Sequence, residues 1–589
     1  TWRITRKLTL TLSLCMEYEL GATERHNRFI IDYDPNAVLP VSSAVEASYA
    51  ARPQPERAAS SFKVAGGAIY AGSANARKRA WDSSLMWLPR VGWGYQLGAK
   101  TVLRGGYGIF YDTTNVNAMS YGPNQNYYSR NTSPTIYNND VNQIPVFNPL
   151  YSASGAFPTA SPLNDPFPVR ADGTRFDKPL RDSLGLMATV GAGWTYPNYR
   201  YHARQQRWRI SLERQIGSHD VIDAAYEGTY ASNLTYNKPC SLGVPSTYYN
   251  FTQSRDDTNS NWLGAGIPNP FYGLTTAGTV PANANVVYPD SVKNNTVLWT
   301  WMATNTLFTS PTRTRSMLLF MNPNGTVNTP EPRFHSRTQM ISLSYNHRFS
   351  RGLTANFGYT WLRRMTGNSY FQGWNPDDPT RPQVPYWNPL AAGNPHSVRA
   401  TWVYDLPFGQ GRHWVQNRIL SLLVGGWTLA GTYQYTPGGL VGFGNIYFYG
   451  DPDSIKVDSP TPERFFNTAG CVQSTPLSPG DTVVGAGPCT SGFEKRSAFA
   501  AGGYQYRFFP NNIDGLRAYS ISQFDGSLSR EFKIHERLRF VGRVDVLNVE
   551  NNSILNAPST TPTSPDFGKI TGQSNAPMRF IQIQGRLRW

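Results

Sequence analysis

Residues 581–589, at the carboxyl end, alternate between apolar and polar side chains, apart from Gly585. In an extended chain, Ile581, Ile583, Leu587 and Trp589 fall on one face, and Gln582, Gln584, Arg586 and Arg588 fall on the other. One face is therefore apolar and the other is strongly cationic. A wall strand between lipid and water needs this pattern, as in an antiparallel barrel of a bacterial outer membrane.

The same alternation recurs in about a dozen segments. They are residues 8–18, 91–95, 103–109, 207–213, 222–230, 341–345, 353–361, 398–404, 427–435, 524–532, 538–546 and 581–589. Gly, Pro, Asn and Asp bound most of them, as expected for strands that end in turns. The sequence predicts an all-β fold, a transmembrane antiparallel β-barrel, in which about twelve wall strands belong to one domain that spans residues 1–589.

Composition agrees with this fold but does not decide it. No stretch of the 589 residues approaches the roughly 18 consecutive apolar positions of a membrane helix, and the mean hydropathy is −0.44. The 34 Tyr and 16 Trp suit aromatic girdles at two membrane interfaces, although a large secreted β-rich protein would have a similar composition. The net charge of +16 is spread through the strands, often opposite Asp or Glu, so we expect a polar interior and no nucleic-acid partner.

Connection lengths separate a membrane barrel from a soluble domain. Short connections at 96–100, 216–220, 350–352 and 533–537 alternate with long ones at 21–87, 113–205, 232–335, 363–396, 437–519 and 550–578. Loops this long are unusual in compact soluble domains, whereas outer-membrane barrels have short periplasmic turns and long extracellular loops.

Strand parity makes further predictions about the amino-terminal half. It makes residues 21–87 a single external excursion, in which residues 62–72 form a hairpin outside the wall. Residues 2–4 read as the periplasmic end of a preceding strand. The chain is therefore expected to begin in mid-barrel. The first long strand, 8–20, is expected to have an unpaired edge or to close poorly on strand 579–589.

Several short segments, in collinear order, resemble TonB-dependent receptors of the Oar-like type. They are residues 2–5 (WRIT), 89–93 (PRVGW), 101–112 (TVLRGGYGIFYD), 348–353 (RFSRGL), 404–412 (YDLPFGQGR), 425–431 (GGWTLAG), 536–539 (ERLR) and 566–570 (DFGKI). The resemblance implies a barrel of 22 strands with a plug, a TonB box and an amino-terminal carboxypeptidase-regulatory-like domain, none of which is visible in this sequence. It also implies energised uptake of a bulky nutrient through the TonB complex.

The terminal aromatic Trp589 resembles the signal that the outer-membrane barrel assembly machinery reads, so that machinery and outer-membrane lipid are the other expected partners. Deleting Trp589 is expected to lower the yield of assembled barrel.

Inward-facing charges are the main candidate site residues. They are Arg104, Arg209, Glu213, Asp223, Glu227, Arg539, Arg543, Asp545, Arg586 and Arg588. They would face a plug or a permeating ligand, or else pair across neighbouring strands. No metalloprotease, nucleophile-elbow or Walker motif is present, so the sequence predicts no enzyme, no cofactor and no metal.

Each of these loop features is compatible with more than one interpretation. The acidic pairs Asp377-Asp378 and Asp451-Pro-Asp453 suit calcium or, more simply, turns. Aromatic loop stretches at 386–388 and 447–449 suit stacking on sugar rings, anchoring at the membrane interface or packing within loops. Among the four cysteines, Cys471 and Cys489 flank a loop rich in Pro and Gly and are predicted to form a disulfide in an oxidising compartment.

These patterns predict an importer in the cell outer membrane. Loops 113–205, 232–335 and 437–519 are rich in Tyr, Asn and Trp and are expected to capture the ligand. Their composition favours an oligosaccharide-like ligand, while the net charge leaves an acidic glycan or peptide open. A structural or adhesive surface protein remains an alternative, as does a secreted carbohydrate-binding β-protein.

Overall fold

The computed structural model describes most of the chain. The described residues are 1–21, 23, 30–71, 77–79, 81–112, 194–195, 202–239, 244–274, 302, 305–320, 327–367, 388–389, 395–496, 504–505, 508–510, 512–573 and 578–589.

Strands dominate the described residues. In chain order they are β1 (Trp2–Arg3), β2 (Leu8–Glu19), β3 (Ile30–Val38), β4 (Ala65–Tyr70), β5 (Ser84–Gly98), β6 (Thr101–Tyr111), β7 (Trp194–Thr195), β8 (Arg204–Ile216), β9 (Asp220–Pro239), β10 (Gly266–Pro268), β11 (Thr312–Thr314), β12 (Val327–Ser350), β13 (Leu353–Gly367), β14 (Asn388–Pro389), β15 (His396–Asp405), β16 (Trp427–Thr436), β17 (Leu440–Gly442), β18 (Phe448–Tyr449), β19 (Gly470–Val472), β20 (Thr482–Val483), β21 (Gly492–Glu494), β22 (Asn512–Arg517), β23 (Ile521–Lys533), β24 (Arg539–Leu547) and β25 (Phe580–Arg588).

Helices are short and lie in the connections. They are α1 (Ser42–Ala51), α2 (Thr258–Gly264), α3 (Thr306–Thr309), α4 (Arg315–Leu319) and α5 (Arg418–Val424), with 3-10 turns at Ala59–Ser61, Ser246–Tyr248 and Pro452–Ile455. Among the described residues, none of the helices has the length and apolar content needed to cross a membrane.

One large sheet forms the wall. Its strand order is β1-β2-β5-β6-β8-β9-β12-β13-β15-β16-β23-β24-β25, so every strand pairs with its neighbour along the chain within the sheet. β1 meets β2 only at the pairs Trp2↔Leu10 and Arg3↔Thr9. Within the described residues no pairing joins β25 to β1 or β2, so the sheet is open there.

The register of the wall puts apolar side chains on one face and polar ones on the other. Between β24 and β25, Val544 lies opposite Ile583, and the next pair along is Asp545 with Gln582. The apolar face is exposed: Leu14 is 64% and Ile583 is 79% accessible. Such a surface is unfavourable in water and fits the hydrocarbon region of a bilayer. The alternation predicted from the sequence is confirmed.

Tryptophan rings lie against glycines of the neighbouring strand on this apolar face. Trp93, Trp208 and Trp402 stand opposite Gly105, Gly228 and Gly431 in the register. A Cβ built at any of these glycines would overlap the facing indole ring. The ring therefore occupies the space that a side chain would fill, which is how aromatic residues protect glycine in a strand. Gly105 accordingly serves ring packing within a strand.

Two connections differ from the sequence-based bounds. β9 and β12 pair as far as Asn328↔Pro239, so both strands extend well into the predicted loop 232–335. Backbone hydrogen bonding continues there although the apolar alternation has stopped. The strand ends predicted from the alternation alone therefore came too early. At the other end of the wall, residues 406–426 join β15 to β16 and contain α5, so one turn on the short-turn side is long.

The first outer excursion forms its own small unit. β3 pairs with β4 and not with the wall, as strand parity requires. Tyr49 of α1 stacks on Phe62 with ring centroids 3.9 Å apart, and Arg57 lies over the Phe62 ring. Arg57 Nη1 also donates a 2.6 Å hydrogen bond to the carbonyl of Leu318 in α4. These contacts tie the first excursion to the connection between β9 and β12.

Candidate functional site

The polar face of the wall surrounds a cavity of about 860 Å³. Glu213 on β8 and Gln582 on β25 both line it, so the wall curves around its polar face. The other polar lining groups include the neutral residues Asn346, Thr354, Asn356, Thr401, Thr432 and Ser527, the cations Arg348 and Arg543, the carboxylates Asp525 and Asp545, and His347. A solute there would meet hydroxyls and amides among charges of both signs that nearly balance.

A second cavity of about 610 Å³ lies beside strands β5 to β9. Arg104 contacts Glu213 at 3.5 Å across the β6–β8 pair. Arg209 reaches Glu227 at 2.5 Å and Asp223 at 3.5 Å across the β8–β9 pair. These five candidate residues are thus brought together, and each cation has an anionic partner on the next strand.

The candidates near the carboxyl end are also largely paired. Glu531 on β23 forms ion pairs with Arg539 at 2.6 Å and with Arg588 at 3.8 Å. Arg543 contacts Asp545, two residues along the same strand, at 2.7 Å. Arg586 makes no ion pair within the described part of the chain. Cross-strand pairing, one of the two interpretations offered by the sequence, accounts for most of this geometry, and a role in contacting a ligand stays a proposal.

Sequence reasoning missed an aromatic–cationic cluster on the same face. The guanidinium carbons of Arg90 and Arg207 lie 4.7 and 5.3 Å from the centroid of the Phe110 ring. Gly108 lies between the two arginines in the register, and a Cβ there would come within 3.3 Å of both the ring and Arg90. The alternation of side chains already placed Arg90, Arg207 and Phe110 on the inward face. The sequence contained no further sign of the cluster, because no pattern of opposite charges accompanies these residues.

The connections 437–520 and 548–579 pack together into one unit, which we call the outer cap. Its core is a set of buried apolar side chains: Val441, Phe443, Ile455, Phe465, Phe466, Phe493, Phe509, Ile513, Leu516, Phe567 and Ile570. Phe493 has its ring centroid 4.8 Å from both Phe448 and Phe567. Because Phe567 comes from the second connection, this ring cluster joins the two loops.

A buried polar cluster links the cap to the connection between β9 and β12. Glu494 contacts Arg496 at 3.1 Å and Arg255 at 3.4 Å. The Tyr449 hydroxyl donates a 2.7 Å hydrogen bond to Glu494. Burial, followed by this hydrogen bond, raises the pKa of Tyr449 to about 12. The charged groups of the cluster pair with one another, so the cluster holds three loop segments together.

The aromatic and acidic loop motifs have structural roles where they can be seen. Tyr447 is buried, and its hydroxyl donates to Gln505 Oε1 at 3.1 Å. Residues 447–449 therefore pack within the cap, and of the interpretations offered for this stretch, loop packing is the one that the geometry supports. The Asp451 side chain accepts from the Asp453 N–H at 2.9 Å, which is turn formation. Residues 377–378, 386–387 and nearly all of 113–205 lie outside the described residues.

Cys471 and Cys489 form a disulfide in the cap, with Cα atoms 5.7 Å apart. The wall residue Cys15 is a free thiol. Elsewhere in the described ranges, no group of three or more His, Cys, Asp or Glu is placed to hold a metal ion. Trp589 directly follows β25 and is 93% exposed, and its use as an assembly signal stays a prediction.

Removing the disulfide is expected to loosen the cap without opening the wall. The double variant Cys471→Ser/Cys489→Ser should lower the free energy of unfolding of the cap by about 3 kcal/mol, because the bond restricts the unfolded loop. Protease sensitivity of the cap in the detergent-solubilised protein measures this loss. Cys15→Ser is the matched control, and an unchanged cleavage rate in the double variant would contradict the expectation.

Comparison with protein families decides the class of the chain. The model for the outer membrane beta barrel domain matches residues 1–582. The chain belongs to this family. This outer-membrane barrel domain therefore resides in the cell outer membrane, and its apolar face is the lipid-facing face. The secreted alternative considered from the sequence is wrong. No curated protein matches the chain.

Solved structures similar to this outer-membrane barrel share its fold only distantly. The closed ferric-catecholate import receptor Fiu of Escherichia coli is 8% identical with a TM-score of 0.34, and the match covers 99% of this chain and 43% of that one. The outer membrane transporter YddB of Escherichia coli is 9% identical (TM-score 0.36, 86% and 41% covered). The siderophore receptor PirA of Pseudomonas aeruginosa is 7% identical (TM-score 0.27, 80% and 40% covered). The chain spans less than half the length of each.

Proposed function

We propose that this barrel belongs to a TonB-coupled importer that takes up a neutral, hydroxyl-rich solute such as an oligosaccharide. The single observation that carries the choice of solute is the cavity of about 860 Å³, where hydroxyls and amides lie among charges of both signs that nearly balance. Charges that nearly balance create little net field, so recognition there depends on hydrogen bonds and not on ligand charge. The Oar-like segments support coupling to TonB.

The outer cap favours a second candidate. Its aromatic core, disulfide and buried ion pairs make a rigid structure above the wall. A rigid exposed module suits a structural or adhesive surface protein as well as a receptor. The two candidates differ in one measurable respect, since only the importer consumes inner-membrane energy through TonB.

Uptake by cells that carry the full-length gene tests the proposal. Cells given a labelled oligosaccharide mixture should accumulate it when TonB is present and the inner membrane is energised, and should lose accumulation without TonB. The variant Asn346→Leu/Asn356→Leu removes two amides from the cavity and should lower uptake several-fold. Ile341→Leu/Phe357→Leu changes the lipid face of the same strands and serves as the matched control.

Two outcomes would contradict the importer, and a third would contradict only the choice of ligand. Binding at the cell surface that persists without TonB favours the adhesive protein. Hydrolysis of the oligosaccharide by purified protein favours an enzyme. Uptake of small anionic solutes with the same TonB dependence would keep the importer and overturn the choice of ligand.

A further inference from the structure

The connection between β15 and β16, residues 406–426, carries a helix whose apolar side chains have no protein cover. Ile419 is 74% exposed, Leu422 is 68% and Leu423 is 69%. Leu420 and Val424 are exposed as well, so five of the seven residues of α5 are exposed apolar groups. A contiguous apolar surface of this kind marks a contact with another apolar body.

The helix is held in a fixed orientation by its polar side. Asn417 caps the amino end, where its Oδ1 accepts from the N–H of Ile419 at 2.9 Å. Ser421 Oγ accepts from the Gln410 N–H at 2.8 Å, and Ser421 packs against Gly409 and Gly425. Ser421 and Arg418 share one side of the helix while the apolar residues occupy the rest. The helix is therefore amphipathic, and Ser421 on its polar side faces the loop.

The carboxyl end of α5 attaches to the lipid-facing side of the wall. Trp427 and Arg530 are register partners on that face, together with Leu429 and Leu528. Trp427 Nε1 donates a 3.0 Å hydrogen bond to the Leu423 carbonyl. Arg530 Nη1 donates to the same carbonyl at 2.8 Å. A cation at the carboxyl end of a helix is favourable, and here the outward-facing Arg530 supplies it.

Outward-facing apolar residues continue around this end of the wall. Ile216, Phe349 and Ile534 are 47%, 62% and 58% exposed at the ends of the other short connections. The Arg530 guanidinium carbon lies 4.5 Å from the centroid of Phe532, the next outward residue of β23. The apolar surface of α5 is thus continuous with the lipid-facing face at the rim that bears the short turns, which is the periplasmic rim in barrels of this kind.

We propose that α5 inserts into the periplasmic leaflet of the outer membrane and is covered by phospholipid acyl chains. Ile419, Leu420, Leu422 and Leu423 contact the chains. Arg418 is an exposed cation of the helix, and Arg412, which also pairs with Asp405 at 3.7 Å, is exposed in the same turn. Both meet the phosphate headgroups. Short amphipathic helices with basic flanks bind membrane interfaces in this way, and long cationic side chains extend to the headgroup level. The proposal does not depend on transport.

Fluorescence of a dye on a single cysteine tests this contact in outer-membrane vesicles from cells that produce the full-length protein. The background variant Cys15→Ser/Cys240→Ser leaves only the disulfide cysteines among these 589 residues. An environment-sensitive dye is attached to Leu422→Cys in one protein and to Gln416→Cys, an exposed polar position of the same turn, in the other. The vesicles are opened so that iodide reaches both sides.

The dye at position 422 should emit at shorter wavelength than the dye at 416. Iodide should quench it several-fold less, whereas a phospholipid with a mid-chain nitroxide should quench it more. Equal iodide quenching at the two positions would overturn the proposal, because it would place α5 in water. Protection from both quenchers at 422, with crosslinking between copies, would overturn it in favour of a protein partner.

Discussion

Replacing Phe493 with alanine is expected to unfold the outer cap while the barrel wall stays intact. The side chain is fully buried at the centre of the ring cluster that joins both cap loops. Removing a buried phenyl group leaves a cavity and costs about 3–5 kcal/mol. The wall is stabilised separately by its backbone pairing, so heat-modifiable migration of the barrel should persist.

Hydrogen exchange of the cap amides measures the effect of Phe493→Ala. Val483→Ala is the matched control, because Val483 lies in the same cap but is 52% exposed. Surface changes of this kind usually stay within about 0.5 kcal/mol. Equal protection in the two variants would show that the ring cluster does not hold the cap together.

The second large effect is expected at the ion pair between Lys495 and Asp481. Both side chains are fully buried, and Lys495 Nζ lies 2.6 Å from Asp481 Oδ1. The Asp481 carboxylate also accepts hydrogen bonds from the backbone N–H groups of Gly470, Leu477 and Ser478. Asp481→Asn leaves a buried ammonium group without its anion and should cost the cap about 3–5 kcal/mol. Lys495→Met leaves a carboxylate that keeps three backbone donors and should cost less.

The cost of Asp481→Asn should depend on pH. Burial lowers the pKa of Lys495, and the hydrogen bond and charge of Asp481 oppose that fall. Without the carboxylate the pKa falls further, so the unfolded cap binds more protons than the folded cap between the lowered pKa and the ordinary value. Stability rises with pH wherever the unfolded state binds more protons. The deficit should therefore shrink as pH rises toward the ordinary lysine pKa, and a deficit that grows would contradict this account.

The wall could be predicted because the alternation that determines the two faces of a strand lies within that strand's own sequence. Alternation in residues 8–18 or 581–589 fixes which face meets lipid, and a shift of one residue would reverse it. The ends of β9 and β12 were not predictable from that pattern, since their backbone pairing outlasts the apolar alternation. The cross-strand partners of Arg104 and Arg209 follow from strand order once the faces are known.

The outer cap could not be derived from local pattern. Its core unites Phe443, Phe493 and Phe567 from distant positions, and no periodicity marks them. The disulfide could be predicted because the positions of the two cysteines along one loop suggest it. The sequence does contain a signal for helix α5, because an apolar run follows the capping residue Asn417. The helix was not predicted because this segment lies in a turn between two wall strands.

Accessibility of two positions from outside intact cells tests the central claim, a lipid-embedded wall with the cap outside and the short turns in the periplasm. Ser459→Cys in the cap and Ser218→Cys in the turn between β8 and β9 are both exposed positions. Each is placed in the Cys15→Ser/Cys240→Ser background and treated with a membrane-impermeant thiol reagent. The account predicts labelling of position 459 in intact cells and of position 218 only after the outer membrane is opened. Labelling of 218 in intact cells, or recovery of the protein in the soluble fraction without detergent, would contradict it.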